Sequence, residues 1–347
     1  MGRYWNEDLG RGLSRSLATA AFALGAVGFG LQPASAQQTD PRAQMRIDFD
    51  KAVKGKTVAW VPVTLGTPIG QIWTEVMRAH FDKLGINLII RDPNFDSNAQ
   101  LQAVTSLINE KPDVIIVQNI NVTLLAREFK RAMEAGIYVI QVNMMSNTPT
   151  DAYVGVDNVE SGRMIAEDIV KECGGGKSSG KVAIVVGEAT SAAGLDQLKG
   201  AMEVFKQDKS INVVSTQAAN WDANKANEIT ATVLRQHPDL CATYGQWGIM
   251  QHGAAQAVKA AGLQGKVKVY ASSDGPRADC DLVEQGLFHK ILSYRSDLGG
   301  LQIVDATLAL LQSGDKPGTK RMTLLSNNFW VTGPRERDYC YDLSPTQ

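Results

Sequence analysis

The chain alternates short apolar runs with longer segments whose apolar residues recur at helical spacing. The first five runs are residues 56–63, 86–92, 113–119, 138–143 and 152–156. They are rich in Val and Ile, which is typical of buried strands. The segments between them, such as 68–84, are long enough for helices and often end at glycine. Strands separated by such helices predict βαβ units and a parallel sheet.

The same alternation restarts further along the chain. The later runs are residues 181–187, 211–217, 240–246, 266–273 and 289–295. Two such series predict two sheets, and we therefore expect an α/β protein of two Rossmann-like lobes, each a parallel sheet flanked by helices. The helix predicted over 297–311 follows the second series, and its spacing leaves open which lobe it covers.

The N-terminus has the layout of a secretory signal peptide. Three arginines precede an apolar stretch at 17–31, and the small-residue site Ala34-Ser35-Ala36 follows. This order predicts a signal peptide over 1–36, cleavage near Ala36 and a periplasmic protein. An uncleaved membrane anchor is the alternative, although the stretch falls short of the roughly 20 residues that a span needs. Residues 37–56 are polar and are expected to form a loose leader.

Composition narrows the function. The 347 residues carry a formal net charge of -1, which gives no reason to expect binding to nucleic acid. An exported protein can oxidise its four cysteines, Cys173, Cys241, Cys280 and Cys340. Cys280 with Cys340 is the preferred bridge, because it would tie the C-terminal tail to the body. Unpaired buried thiols are the alternative, above all for Cys173 and Cys241.

Motifs for catalysis, phosphate or metal are weak. The stretch CGGGKSSG at 173–180 precedes a strand rather than following one, unlike a phosphate-binding loop. DPNFDSN at 92–98 lacks the glycine and the final glutamate of a calcium loop. No two histidines lie within one helical turn, and no acid/base pair is visible. We therefore expect no enzyme, no cofactor and no metal site.

Polar and aromatic residues gather where the predicted strands end. In the first series these are Thr67 to Trp73, Asn119 and Asn143-Met144, and in the second they include Trp221, Trp247, Asp274 and Tyr294. The carboxyl ends of parallel strands face the ligand crevice of such folds. Aromatic faces with single polar groups predict a cleft between the lobes for a small molecule.

Several stretches resemble the type I periplasmic binding proteins of ABC importers, in the ribose-type sugar-binding branch. They include VTLGTPIGQIWTEVMRAHFDKLGINL at 63–88, the D-N-x-x-x-G segment GVDNVESGRMIAEDI at 155–169, and ASSDG at 271–275. The resemblance covers roughly residues 56–334. It implies two lobes joined by three crossovers, which close on a ligand and then dock on a membrane permease.

The resemblance also implies domain limits and partners. The N-terminal lobe would comprise 54–157 and 295–324, the C-terminal lobe 158–294 and 325–334, and the tail 335–347. Helix 297–311 would then belong to the N-terminal lobe. The expected partners are a small-molecule ligand, an ABC permease and a chemoreceptor in a sensing role.

Matching the family's ligand positions gives the candidate site. The expected ligand-binding residues are Thr67, Trp73, Asn119, Asn143, Met144, Gln197, Trp221, Trp247, Asp274 and Tyr294. The sugar-binding relatives usually carry Asp-Arg where this chain has Asn143-Met144, and Arg where it has Gln197. Because charge-assisted hydrogen bonds are the stronger ones, their loss favours a ligand with fewer hydroxyls or with a different shape.

The predicted ligand is a monosaccharide, a deoxy-sugar or a short polyol. Two alternatives stay open at this point. Three tryptophans, a tyrosine and one aspartate could instead form a cage for a cationic amine or a heteroaromatic molecule. Met144 could also pack behind the cleft without touching the ligand.

Overall fold

The computed structural model describes residues 40–342. The predicted signal peptide at 1–36 lies outside them, as do the last residues of the predicted tail. The expectation of a loose leader over 37–56 is wrong for its described part, because Pro41–Val53 forms a helix. Its sequence, PRAQMRIDFDKAV, is polar but contains good helix formers such as Ala, Gln, Met and Arg.

Helices and strands alternate through most of the described chain. The helices are α1 (Pro41–Val53), α2 (Pro68–Leu84), α3 (Ser97–Glu110), α4 (Ala126–Glu134), α5 (Asn158–Cys173), α6 (Ala192–Phe205), α7 (Ala223–Gln236), α8 (Gly248–Ala260), α9 (Arg277–Glu284), α10 (Ser296–Ser313) and the 3₁₀ helix Pro334–Tyr339. The strands are β1 (Thr57–Val61), β2 (Asn87–Ile90), β3 (Val114–Val117), β4 (Tyr138–Val142), β5 (Ala152–Val156), β6 (Lys181–Val186), β7 (Asn212–Ala218), β8 (Ala242–Gly245), β9 (Lys268–Ser273), β10 (Lys290–Ser293), β11 (Met322–Ser326) and β12 (Phe329–Val331).

The first sheet has six strands in the order β11-β5-β4-β3-β1-β2. All its pairings are parallel. The central strand β3, VIIV, is buried at all four positions, as expected for a parallel strand covered on both faces. Helices α2, α3, α4 and α10 pack against this sheet or against each other. We call this sheet and these four helices the first lobe.

The second sheet also has six strands, in the order β12-β10-β9-β8-β6-β7. Its described pairings are parallel except for the short edge strand β12, which runs antiparallel to β10. Helices α5 to α9 pack around it. We call this sheet, these helices and the chain after β12 the second lobe.

The chain passes between the sheets three times. It leaves the first sheet after β5, returns to it through α10 and β11, and ends in the second sheet with β12. Helix α10 packs against α2 and β5, so it belongs to the first lobe. The predicted fold class, two parallel sheets joined by three crossovers, is confirmed.

Helix α2 shows how local sequence sets the fold. The Thr67 hydroxyl accepts a hydrogen bond from the Gly70 N–H, and a proline occupies the first turn. Gly85 ends the helix with a φ of 68°, in the left-handed region that glycine tolerates best. Its buried positions Trp73, Met77 and Phe81 recur every four residues and face the first sheet's core.

Two disulfides connect elements of the second lobe. Cys280 bonds to Cys340, which confirms the preferred pairing and fastens the chain after β12 to helix α9. Cys173 bonds to Cys241, so the alternative of unpaired thiols does not hold for these two residues. Their Cα atoms lie 6.0 Å apart, within the usual range for a disulfide. None of the described helices is both long enough and apolar enough to span a membrane.

Candidate functional site

A cleft lies between the carboxyl ends of the two sheets. The empty space between the lobes, counted together with its opening to solvent, is about 520 Å³. From the first lobe the cleft is lined by Val63, Thr67, Ile69, Phe95, Gln118, Asn143 and Met144, and from the second lobe by Asn158, Ala193, Gln197, Trp221, Gln246 and Trp247. Tyr294, in the crossover between β10 and α10, also lines it and packs in the core of the first lobe.

Seven of the ten predicted ligand-binding residues line this cleft. They are Thr67, Asn143, Met144, Gln197, Trp221, Trp247 and Tyr294. Trp73, Asn119 and Asp274 do not line it, and each lies elsewhere for a physical reason.

Trp73 is a core residue of the first lobe. Its side chain is 2% exposed and packs edge-on against Trp60 with ring centroids 6.2 Å apart. The indole Nε1 donates a hydrogen bond to the Ser296 carbonyl at 2.8 Å, which joins α2 to the start of α10. The structure therefore corrects its expected place as a stacking wall of the cleft.

Asp274 lies directly behind the cleft and is fully buried. One carboxylate oxygen accepts a hydrogen bond from Trp247 Nε1 at 2.9 Å, and the other accepts one from the Tyr341 hydroxyl at 3.4 Å. Burial first, and then the Asp279 carboxylate, raise the pKa of Asp274 to about 7. Its present role is to hold the indole of Trp247, which itself lines the cleft.

Asn119 lies two residues beyond the end of β3, directly after Gln118. It is 1% exposed, and neither its side-chain nitrogen nor its oxygen has a hydrogen-bond partner. Gln118, its neighbour, lines the cleft instead. Its burial therefore keeps Asn119 out of the lining.

The two tryptophans form one wall of the cleft. Trp221 and Trp247 meet edge to face, with centroids 6.2 Å apart and planes at 81°. Trp221 has a φ of 61°, and its ring lies so close to Gly187 that a Cβ there would stand 2.1 Å from the ring. Only glycine fits at position 187 with the ring in this place. The wall therefore depends on backbone geometry as well as on the indoles.

The amides that line the cleft from the second lobe are bound to one another. Gln197 Nε2 donates to Asn158 Oδ1 at 3.0 Å, and Gln197 Oε1 accepts from the Tyr244 hydroxyl at 2.8 Å. Gln246 donates to the Gly194 carbonyl and accepts from the Gly187 N–H. Each nitrogen and each oxygen of these amides already has a protein partner. An amide nitrogen carries two N–H groups, however, and Gln246 Nε2 donates only one of them to the protein.

The amides that line the cleft from the first lobe are less completely paired. Asn143 Oδ1 is buried without a hydrogen-bond partner. Gln118 Oε1 accepts from the Val63 N–H at 3.2 Å, whereas Gln118 Nε2 has no partner among the described residues. A buried unpaired polar group costs about 1–3 kcal/mol. These atoms therefore favour a ligand that pairs with them.

The two lobes touch across the mouth of the cleft. The Val122 N–H donates to the Thr190 carbonyl at 3.0 Å. Ser191 Oγ lies 3.3 Å from Met144 Sδ, and Met144 packs with Ile120, Ala192 and other apolar residues of both lobes. This arrangement is a closed one, in which Met144 both lines the cleft and seals it.

No charged side chain is among the residues that line the cleft. Burial raises the pKa of Tyr294 well above its usual value, so this tyrosine is neutral too. Away from the cleft, Asp168, Glu172 and His289 have ligand atoms within 4.8 Å of one another. The Lys290 ammonium lies 2.7 Å from the Asp168 carboxylate. A cation that belongs to the protein therefore already sits at this cluster.

Sequence reasoning missed several lining residues. Gln118 and Gln246 each directly precede a predicted site residue, and Asn158 belongs to the quoted D-N-x-x-x-G segment. Their positions in the sequence could therefore have identified these three residues as candidates for the site. Val63, Phe95 and Ala193 are apolar, and nothing in their local sequence separates a cleft wall from a core position. Ile69 is apolar too, but it lies within the stretch Thr67 to Trp73 singled out above.

A family model described as a periplasmic binding protein domain matches residues 58–316. The chain is 32% identical over 237 residues to the D-allose-binding periplasmic protein of Escherichia coli. The match covers 65% of this chain and 75% of that protein. It is 26% identical over 261 residues to the ribose import binding protein RbsB of Salmonella typhimurium, covering 74% of this chain and 86% of that one.

Solved structures share the fold. A solute-binding protein of an ABC transporter from Burkholderia graminis, solved in complex with D-arabinose, superposes with a TM-score of 0.73. It is 22% identical, and the match covers 85% of this chain and 99% of that one.

Proposed function

Because the chain belongs to the periplasmic binding protein domain family, we propose that it is the solute-binding protein of an ABC importer. It captures a monosaccharide, a deoxy-sugar or a short polyol in the cleft and delivers it to a membrane permease. The curated relatives support this proposal, since their names give D-allose and ribose as ligands. They are binding proteins rather than enzymes. Periplasmic location follows from the family and from the signal peptide predicted over 1–36.

The observation that carries the proposal is a neutral cleft between two lobes, with a tryptophan wall. Aromatic faces pack on the C–H faces of sugar rings, while amide groups bind hydroxyls. The contacts between Val122 and Thr190 and between Met144 and Ser191 hold the lobes closed around that space. A hinge that closes on a ligand gives the permease a shape to recognise.

The alternative of a cationic amine receives no support. A cation cage needs a counter-charge that faces the ligand, in addition to aromatic rings. The single candidate was Asp274, and the Trp247 indole separates it from the cleft. None of the relatives described above is named for an amine or a heteroaromatic ligand.

A thermal-shift screen of the exported protein tests the proposal. The library holds monosaccharides, deoxy-sugars, short polyols, amines and nucleobases. A ligand at about 100 times its dissociation constant adds about 2.7 kcal/mol to the free energy of unfolding. Stabilisation by a sugar or polyol supports the proposal, and stabilisation by amines or nucleobases alone contradicts it. Co-purification of the liganded form with its permease would test the delivery step.

A further inference from the structure

The side-chain amide atoms of the cleft that lack a protein partner lie on one side of it. Among the lining side chains, the amide atoms without a protein partner are Asn143 Oδ1 and Gln118 Nε2, and both belong to the first lobe. Thr67 stands on the same side, where its hydroxyl accepts from the Gly70 N–H and keeps its own proton to donate. A ligand that fills the cleft can therefore form new hydrogen bonds mainly on this side.

The opposite side offers apolar surface. Trp221, Trp247 and Ala193 contribute rings and a methyl group, and Met144 reaches across from the first lobe to pack with Ala193. The amides of that side are largely engaged within the protein, since Gln197 and Gln246 bind protein partners at both ends. The Trp247 N–H points away to Asp274.

Resting on the proposed function, we propose that this site selects amphipathic neutral sugars. The preferred ligand presents hydroxyls to the first lobe and a hydroxyl-free hydrocarbon side to the wall formed by Ala193, Trp221 and Trp247. A deoxy-sugar meets that description more fully than its hydroxylated parent, because each hydroxyl replaced by hydrogen enlarges the apolar side. The wall is thereby the specificity-determining surface of the cleft.

The physical reason is the fate of a hydroxyl that faces the wall. On entering the cleft it gives up its hydrogen bonds to water, and the indole faces and the Ala193 methyl group offer none in return. A buried hydroxyl without a partner lowers affinity about tenfold or more. Replacing that hydroxyl by hydrogen removes the loss and adds apolar contact with the indoles. Affinity for the deoxy member of a pair should therefore exceed affinity for its parent.

Isothermal titration of the exported protein with matched pairs tests this selectivity. The pairs are D-fucose with D-galactose, L-fucose with L-galactose, L-rhamnose with L-mannose, and 2-deoxy-D-ribose with D-ribose. We expect the deoxy member to bind at least tenfold more tightly in the pair that binds best. A parent that binds as tightly as its deoxy partner in every binding pair overturns the inference.

The outcomes separate this inference from the proposed function. If the broader screen yields fully hydroxylated sugars or polyols while no deoxy member binds, the proposed function stands and the selectivity is refuted. If no sugar or polyol in either experiment binds, both are refuted.

A pair of variants locates the selectivity at the wall. Ala193→Ser places a hydroxyl on the apolar side, at the second residue of helix α6, and Ala193→Gly removes the same methyl group without adding a hydrogen-bonding group. We expect the ratio of deoxy to parent affinity to fall at least threefold in the serine variant and to change less in the glycine variant. An unchanged ratio in both variants would show that this wall does not set the preference.

Discussion

The first lobe leaves polar atoms of the cleft unpaired, whereas the second lobe pairs its own and presents rings. Asn143 Oδ1 lacks a partner, while both ends of Gln197 are bound within the protein. Both described disulfides also lie in the second lobe. The two lobes can therefore contribute differently to binding. The second lobe, whose polar atoms are largely paired within the protein, can keep the cleft in shape, while the unpaired atoms of the first lobe bind the ligand. Changes in the second lobe should therefore affect stability first, and changes in the first lobe should affect binding first.

Removing the disulfide Cys173–Cys241 should have the largest effect. Its cysteines are 68 residues apart, and releasing a loop of that length costs about 4 kcal/mol of unfolding free energy. Urea denaturation of the Cys173→Ala/Cys241→Ala variant measures the loss. Hydrogen exchange then shows where protection falls. Loss confined to β6–β10 agrees with the contrast, whereas equal loss in β3 of the first lobe contradicts it.

Gln197→Leu should lower the unfolding free energy by about 3 kcal/mol, because two buried groups, Asn158 Oδ1 and the Tyr244 hydroxyl, lose their partner. Gln251→Leu is the matched control. Gln251 is also buried in the second lobe, but its Oε1 has no partner and its Nε2 makes one long bond of 3.3 Å. Chemical denaturation of both variants should rank Gln197 as the costlier loss. The reverse order would show that the amide network is not stabilising.

Asp274 gives the second lobe a pH dependence. Because its pKa rises to about 7, the folded state holds a proton that the unfolded chain releases near pH 4. Stability from this group is therefore greatest at low pH and falls as the pH rises from about 4 to about 7. Wild type should lose about 2 kcal/mol between pH 5 and pH 8 through this residue.

Asp274→Asn tests that loss, since the amide does not titrate. The pKa values of Asp151 and Asp196 are also raised, chiefly by burial, and both residues are present in both proteins. The difference between the two stability profiles therefore isolates Asp274. Parallel profiles from pH 5 to pH 8 would show that its pKa is not raised.

Asn143→Gly should have the smallest effect on stability and a clear effect on binding. Asn143 has a φ of 58°, which glycine adopts freely, so the backbone is not strained. Loss of its unpaired Oδ1 should weaken binding of the best sugar about tenfold. Asn220→Gly is the control, because Asn220 has a φ of 53° but is exposed and lies outside the cleft. Equal affinities in the two variants would remove Asn143 from the site.

The fold could be predicted because buried parallel strands and amphipathic helices follow local pattern. Helix α2 begins and ends at the predicted residues, since a threonine cap, a proline and a glycine mark its limits. The residues of the site were harder to predict than the fold. Trp73 lies four residues before Met77 and eight before Phe81, and this spacing already indicated a core position. Trp73 was nevertheless assigned to the cleft, because its aromatic side chain matched a ligand position of the similar family.

Asp274 could not be placed from local sequence. Its burial depends on Trp247 in front and on Tyr341 behind, and Tyr341 comes from the end of the described chain. The Cys280–Cys340 disulfide fastens that segment one residue before Tyr341. The pairing of Gln197 with Tyr244 and Asn158 is equally non-local. Contacts of this kind depend on which elements become neighbours, which the hydrophobic pattern alone does not specify.

The edge-to-face pair of Trp221 and Trp247 allows ligand binding to be followed by the intrinsic fluorescence of the protein. Indole emission depends on the polarity around the ring and on its hydrogen bonds, and both rings line the volume that a ligand fills. A titration followed by intrinsic fluorescence therefore reads occupancy without a label. With the core indoles Trp60 and Trp73 as a constant background, the same signal could serve in a sensor for the sugar.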